Sequence, residues 1–279
     1  MRLWNEKGNP WGDKKQKSNE IIPLKFAEIQ ERSLFIGVNI GPNYNAERDC
    51  VVLMYKDRHR WVIKTNENED AFEFLYRNIN IFSKNRYKEA IYPFLKEYLI
   101  FTIDACLSTP VKPEYYMRDI DLEINNCNQM NGRWQSESYL KISDWLNHVP
   151  ISGASKRVYL ETNPHSNFPF DIKEIRKVTK EKAFLVEACK KIIELSDSIL
   201  NIKGWNEENF KNEYFRDAFV SMLVSIAYTR WKSNDQSGRK DFLKVVVDHD
   251  GLYWLLDHAS LHNKQVTLNM EKPLLDERG

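Results

Sequence analysis

The stretch Leu34-Phe35-Ile36-Gly37-Val38-Asn39-Ile40-Gly41 constrains the fold more than any other. It is an apolar run of strand length that ends in a short polar side chain between two glycines. The flanking glycines let its tip come close to a phosphate or metal without Cβ crowding. The next two apolar runs, Cys50-Val51-Val52-Leu53-Met54-Tyr55 and Trp61-Val62-Ile63-Lys64, flank the polar segment Lys56 to Arg60 and read as a hairpin. Three strands therefore precede the first helix.

Downstream, helical spacing alternates with strand-like runs. Phe72, Leu75, Tyr76 and Ile79 recur at i, i+3, i+4, i+7, as do Tyr87, Ala90, Ile91 and Phe94, with a break near Ser83 and a kink at Pro93. Tyr98-Leu99-Ile100-Phe101-Thr102-Ile103-Asp104 is a continuous apolar run closed by an acid. A helix marked by Ile142, Trp145, Leu146 and Val149 stops at Pro150, and the short strand Lys156 to Glu161 again closes on an acid. Asp171 and Glu174 open a helix with the face Leu185, Ala188, Cys189 and Ile192. A further helix carries Phe219, Met222, Leu223 and Ile226, with Asp217 at its edge. Val245 to Val247 and Leu252 to Leu256 form a second hairpin around Asp248-His249-Asp250-Gly251.

The expected class is therefore α/β: a mixed sheet of three leading strands, then alternating helices and parallel strands, flanked by helices. Residues 1–33 read as an N-terminal extension and 34–279 as a single domain, with an irregular insertion at about 109–156. Lys plus Arg total 41 against 40 Asp plus Glu, so any anion-binding surface must be local. Lys14, Lys15 and Lys17 read as a solvated end. No run approaches the roughly 18 apolar residues of a membrane helix, and the start is polar and Lys-rich, so no membrane and a cytoplasmic location are expected. Cys50, Cys106, Cys127 and Cys189 lie far apart and read as buried thiols.

In an open sheet, polar groups at the carboxyl ends of neighbouring parallel strands meet in one crevice. Asn39, Asp104 and Glu161 occupy such ends, and Asp217 lies on a helix able to pack beside them. Clustered carboxylates repel by about 4 kcal/mol for two charges 4 Å apart at an effective dielectric near 20, so the cluster makes sense around divalent cations. Oxygen ligands from Asp104, Glu161 and Asp217 select Mg²⁺ or Mn²⁺. Such ions can activate a water and stabilise the leaving oxygen of a phosphodiester.

Four segments occur in a telling order: Phe35 to Gly41, Ile103-Asp104 to Pro110, Tyr159-Leu160-Glu161-Thr162-Asn163-Pro164, and Arg216-Asp217-Ala218-Phe219 followed by Ser221 to Ala227. Together, over about residues 34 to 230, they resemble a family of uncharacterised predicted nucleases with a ribonuclease H-like fold. That family looks like G-I-D-G, I-D-x-P-x-x-x-P, E-x-x-P and H-D-A-F-D-A-L. The resemblance implies a metal-dependent nuclease acting on DNA or RNA, with Asn39, Asp104, Glu161 and Asp217 as its catalytic positions. Two positions depart from the pattern: Asn39 replaces the first-strand acid, and Val220 replaces the second acid of the helical motif. The alternative is a catalytically degenerate nucleic-acid-binding or assembly module on the same fold. A third reading, an actin-like phosphotransferase, conflicts with the chain's length and its 10 Gly without a second phosphate loop.

Other polar groups have plainer readings. His258 and His262 share i, i+4 spacing without an intervening H-E-x-x-H context and read as a surface pair. Asp248-His249-Asp250 reads as turn chemistry. Arg60-Trp61, Arg133-Trp134 and Arg230-Trp231 put cations beside aromatics, a combination used on single strands, but core packing is the default for them.

Overall fold

The computed structural model describes residues 25–41, 46–83, 95–104, 141–148, 155–167, 178–195, 198–233, 242–248 and 251–262. Strands β1 (Ser33–Asn39), β2 (Cys50–Asp57), β3 (Arg60–Thr65), β4 (Tyr98–Asp104) and β5 (Lys156–Glu161) form a five-stranded sheet in the order β3-β2-β1-β4-β5. β2 runs antiparallel to β1 and β3, whereas β1, β4 and β5 are mutually parallel. The sheet is thus mixed and parallel at its centre, as the order of strands and helices in the sequence implied.

Central strands must hide both faces, and the sequence obliges: every residue of β1 and of β4 is buried. Alternation then sorts the side chains into two apolar layers. Leu34, Ile36, Val38, Leu99, Phe101 and Ile103 face α2 (Ala71–Phe82) and the helical segment 141–148, here α3. Phe35, Met54, Ile100, Val158 and Leu160 face α4 (Val178–Ile193) and α5 (Glu213–Lys232). Ile142, Trp145 and Leu146 of α3, and Leu185, Ala188, Cys189 and Ile192 of α4, are buried as their spacing predicted.

Three details differ from the sequence reading. α2 is rotated: it buries Ala71, Phe74, Leu75, Asn78, Ile79 and Phe82, while Tyr76 is 38% exposed. Phe82 draws the face round by packing on Tyr55, ring centroids 4.6 Å apart. The supposed extension contains α1 (Phe26–Arg32), whose Phe26 and Ile29 enter the α5-side layer. Lys96, which no pattern singled out, is buried; its Nζ donates to the carbonyls of Glu31 (2.8 Å) and Lys56 (2.7 Å), tying α1, β2 and the entrance to β4 together. Burial depresses that ammonium to about 8.

The pattern Tyr87 to Phe94, the cap at Asp171 and Glu174, Lys14 to Lys17, Arg133-Trp134, Cys106 and Cys127 lie outside the described residues. So does most of the expected insertion. No helix among the described residues is long and apolar enough to cross a membrane.

Candidate functional site

β1 and β4 end level with one another: Asn39 and Asp104 are direct register partners at the carboxyl edge of the two central parallel strands. Both share the strand face of Gly37 and Thr102, two residues back, which is the α5 side. Gly37 explains how α5 gets there. A Cβ at this position would lie 2.0 Å from the Ala218 carbonyl oxygen and 2.4 Å from the Met222 backbone nitrogen, so the helix backbone rests where a side chain would otherwise stand. Asp217, next to Ala218, is thereby carried to the strand ends. The expectation that Gly37 and Gly41 clear space for a phosphate or metal is corrected here. Gly37 admits a helix. Gly41 admits Arg48, whose Cβ would be 2.4 Å from an added Cβ.

The first turn of α5 is held firmly. The Asn212 side chain accepts from the Tyr214 N–H at 2.9 Å. Arg216 forms a buried ion pair with Glu181 of α4 and donates through Nη1 to the Phe210 carbonyl at 2.8 Å. With Arg216 pinned inward, Asp217 is half-buried on the flank towards the sheet edge.

Electrostatics link the carboxyls. Burial, then Asp217, then Glu161 push Asp104 well above the usual carboxylate range. Asp217 is pushed up to about 7, by burial first, with Arg216 opposing and Glu181 and Glu213 adding to the rise.

Glu161 stands apart. It is paired with Ile103 and has the parity of Tyr159, which packs on the α2 side, so alternation assigns it the face opposite to Asp104. The residue level with Asp104 is Thr162, whose N–H donates to the Ile103 carbonyl at 3.1 Å. Its hydroxyl donates to the Trp254 carbonyl at 2.7 Å. The structure thus brings Asn39, Asp104 and Asp217 to one side, with the buried Glu161 near enough for its charge to be felt. Among the described residues no three His, Cys, Asp or Glu side chains form a group that could hold a metal ion.

Asn39 also serves the fold, because its Nδ2 donates to the Arg48 carbonyl at 3.1 Å and fastens the β1–β2 connection. An aspartate could not make that bond. Val220, three residues after Asp217, is fully buried in the α5-side core.

Sequence reasoning missed two supports. Asp49 is buried, pairs with Lys141 of α3 and accepts from the Gly41 N–H at 2.9 Å. Asn167, also buried, donates to Thr162 Oγ1 (2.9 Å) and the Asn163 carbonyl (2.6 Å), and its Oδ1 accepts from the Leu256 N–H (2.6 Å). The Asp49–Lys141 and Asn167–Leu256 contacts are long-range pairings of single polar residues, for which local sequence holds no signal.

The remaining candidates have ordinary roles. His258 is engaged through Nε2 with the Asn167 carbonyl at 2.5 Å. Asp248 and Gly251 close a hairpin. Trp61 is buried, while Trp231 is 37% exposed and packs on Tyr228 and Trp254. Cys50 and Cys189 are buried free thiols, which burial raises to about 12, far from reactive. On the β2–β3 side of α5 lies a cleft of about 770 Å³ whose lining includes Glu47, Asp49, Glu67, Asp70 and Glu208.

No protein-family model, curated protein or solved structure matches the chain.

Proposed function

We propose that this chain is a divalent-cation-dependent phosphodiesterase of nucleic acid on a ribonuclease H-like sheet. The observation that carries the reading is the pairing of Asn39 with Asp104 at the carboxyl edge, with Asp217 set against them by the α5–Gly37 contact. The leading strands β1, β2 and β3, followed by β4 and β5 parallel to β1, follow the order of elements that the resemblance implies, and support the same reading.

The donor set fits a hard cation. Both charges acting on Asp104 are negative, and all the groups offered are oxygens. Asp104 and Asp217 would hold the ion. Asn39, with its amide nitrogen spent on Arg48, has its carbonyl oxygen to offer, and Glu161 adds charge from the neighbouring face. A bound Mg²⁺ or Mn²⁺ would polarise the phosphate and lower the cost of forming a nucleophile from water. The chain's own part is to fix the ligands on rigid strand ends and to exclude bulk water through α5. The cleft beside α5, lined by Glu47, Asp49, Glu67, Glu69, Asp70 and Glu208 with Lys211, disfavours a phosphate backbone there.

Cleavage of a panel of single- and double-stranded DNA and RNA in Mn²⁺, with Asp104→Ala as control, tests the assignment. Cleavage by the wild type and a loss of at least about a hundredfold in the variant is expected. Equal cleavage by both proteins would show contamination and sink the assignment.

Asn39 and Val220 favour a second reading, a degenerate binding module, because one amide is committed to the backbone and one acid position is core. Asn39→Asp separates the two. It loses a hydrogen bond worth about 1 kcal/mol and adds charge beside Asp104, so the cation-free protein should melt lower while Mg²⁺ affinity rises. Gain of cleavage would make this a nuclease lacking one ligand. Melting and Mg²⁺ affinity both unchanged would mean that Asn39 does not face a cation site.

A further inference from the structure

We propose that Trp231 and Trp254, with Lys232 beside them, form a stacking platform for the bases of a single-stranded substrate. The choice of ligand rests on the phosphodiesterase reading; the platform consists of side chains that reading does not use. Of the two described Arg-Trp neighbours, Trp61 is buried in the α5-side core, whereas Trp231, in the last turn of α5, is 37% exposed. Its ring is held in place: the centroid lies 5.5 Å from that of Trp254 and 6.2 Å from that of Tyr228, and Tyr228 meets Trp254 edge-on at 5.0 Å. Trp254 is only half-buried. It belongs to β7 (Gly251–Leu256), which pairs antiparallel with β6 (Leu243–Asp248), and its cross-strand neighbour Val245, 40% exposed, widens the same face. The cation of the patch is Lys232 rather than Arg230. The Arg230 guanidinium sits over the rings of Phe26 and Phe242 and is paired with Glu194. The Lys232 Nζ lies 4.6 Å from the Trp231 centroid, its side chain is exposed, and among the described residues no carboxylate pairs with it.

A fixed aromatic surface beside an unpaired ammonium suits a chain that offers a flat apolar face and a phosphate at every step. Unpaired nucleotides do so; in a duplex the base faces are stacked on one another and out of reach. One lysine and two rings are too little for a bilayer, which is bound through a broad apolar face rimmed by several cations. The position also fits. Thr162, level with Asp104 on the neighbouring strand, donates its hydroxyl to the Trp254 carbonyl at 2.7 Å, so the patch stands on the β5 side of α5, away from the acidic cleft on the β2–β3 side. Along α5, Trp231 follows Asp217 by fourteen residues, roughly 21 Å at 1.5 Å per residue. A strand of several nucleotides covers that span, within the site sizes usual for single-strand binding.

Fluorescence anisotropy with a labelled single strand of about 16 thymidines, and with the same strand annealed to its complement, tests the proposal in a buffer with EDTA, where no cation-dependent cleavage interferes. The wild type should bind the single strand more tightly than the duplex. Trp231→Leu keeps an apolar side chain against Trp254 and removes the aromatic face, so it should bind the single strand about fivefold to a hundredfold more weakly. Trp231→Phe, which keeps such a face, should recover most of that loss. Lys232→Ala should lower the slope of log affinity against log salt by about 0.7, the share of one phosphate on a single strand. Melting curves confirm that each variant is folded. Equal binding of single strand and duplex by the wild type overturns the proposal, as do folded Trp231→Leu and Lys232→Ala variants that bind like the wild type, or a wild type that prefers anionic vesicles to the oligonucleotide. Cleavage in Mn²⁺ is scored separately. An Asp104-dependent nuclease whose KM is indifferent to Trp231→Leu contradicts the platform alone, and a platform that binds as expected without any cleavage contradicts the phosphodiesterase reading alone.

Discussion

Gly37→Ala is expected to be among the most damaging single methyl additions this chain can suffer. The new Cβ would meet the Ala218 carbonyl oxygen at 2.0 Å and the Met222 nitrogen at 2.4 Å, both backbone atoms of a helix that cannot swing aside like a flexible side chain. Overpacking a core costs about 1–3 kcal/mol when side chains absorb it, and the upper end or beyond applies when a helix must move as a unit. Denaturant unfolding should show the midpoint falling with little change in slope. A functional loss should accompany it, because lifting α5 from β1 also lifts Asp217 from Asp104. Ala at 37 with unchanged stability would mean that α5 does not rest on β1 as described.

That contact also marks what sequence could and could not reveal. The strands were legible because β1 and β4 are unbroken apolar runs, and a strand buried on both faces has no other appearance. Strand ends were legible because Asn39, Asp104 and Glu161 each close such a run. Facing was harder. Glu161 sits one residue out of phase with Asp104 across the β4–β5 pair, and only the register, Ile103 with Glu161, reveals that. α5 hid its orientation because it is buried on almost every side, so its apolar stripe carried little information about where Asp217 lies. Gly37 looked like a ligand-approach glycine and proved to be a helix-approach glycine; a missing Cβ says that something comes close, not what.

The second large effect is pH-dependent. Asp217 is raised from 3.8 to about 7 and Asp104 moves the same way. Between about pH 4 and 7 the unfolded chain has released a proton that folded Asp217 still holds, so folding takes up a proton. The Asp217 contribution to stability therefore falls as pH rises through that window and levels off above it, by at most about 4 kcal/mol for a shift of this size, and the Asp104 contribution falls with the same sign. Asp49, raised by its burial, contributes with the same sign. Asp217→Asn should flatten the profile, because a neutral amide has no proton to lose. A profile unchanged by Asp217→Asn would place the titration elsewhere.

A cation should act where the carboxyls are ionised, since it replaces the proton as the partner of Asp104 and Asp217. The most direct test of the central claim is the Mg²⁺-induced shift in melting temperature at pH 8 and at pH 5, for the wild type and Asp104→Asn. At a concentration near a hundred times the dissociation constant, mass action stabilises by about 2.7 kcal/mol. The wild type should show that rise at pH 8, most of it should vanish at pH 5 where protons hold the site, and Asp104→Asn should show little at either pH. A wild type that does not respond at pH 8, or a full response retained in Asp104→Asn, would contradict a cation site at the ends of β1 and β4.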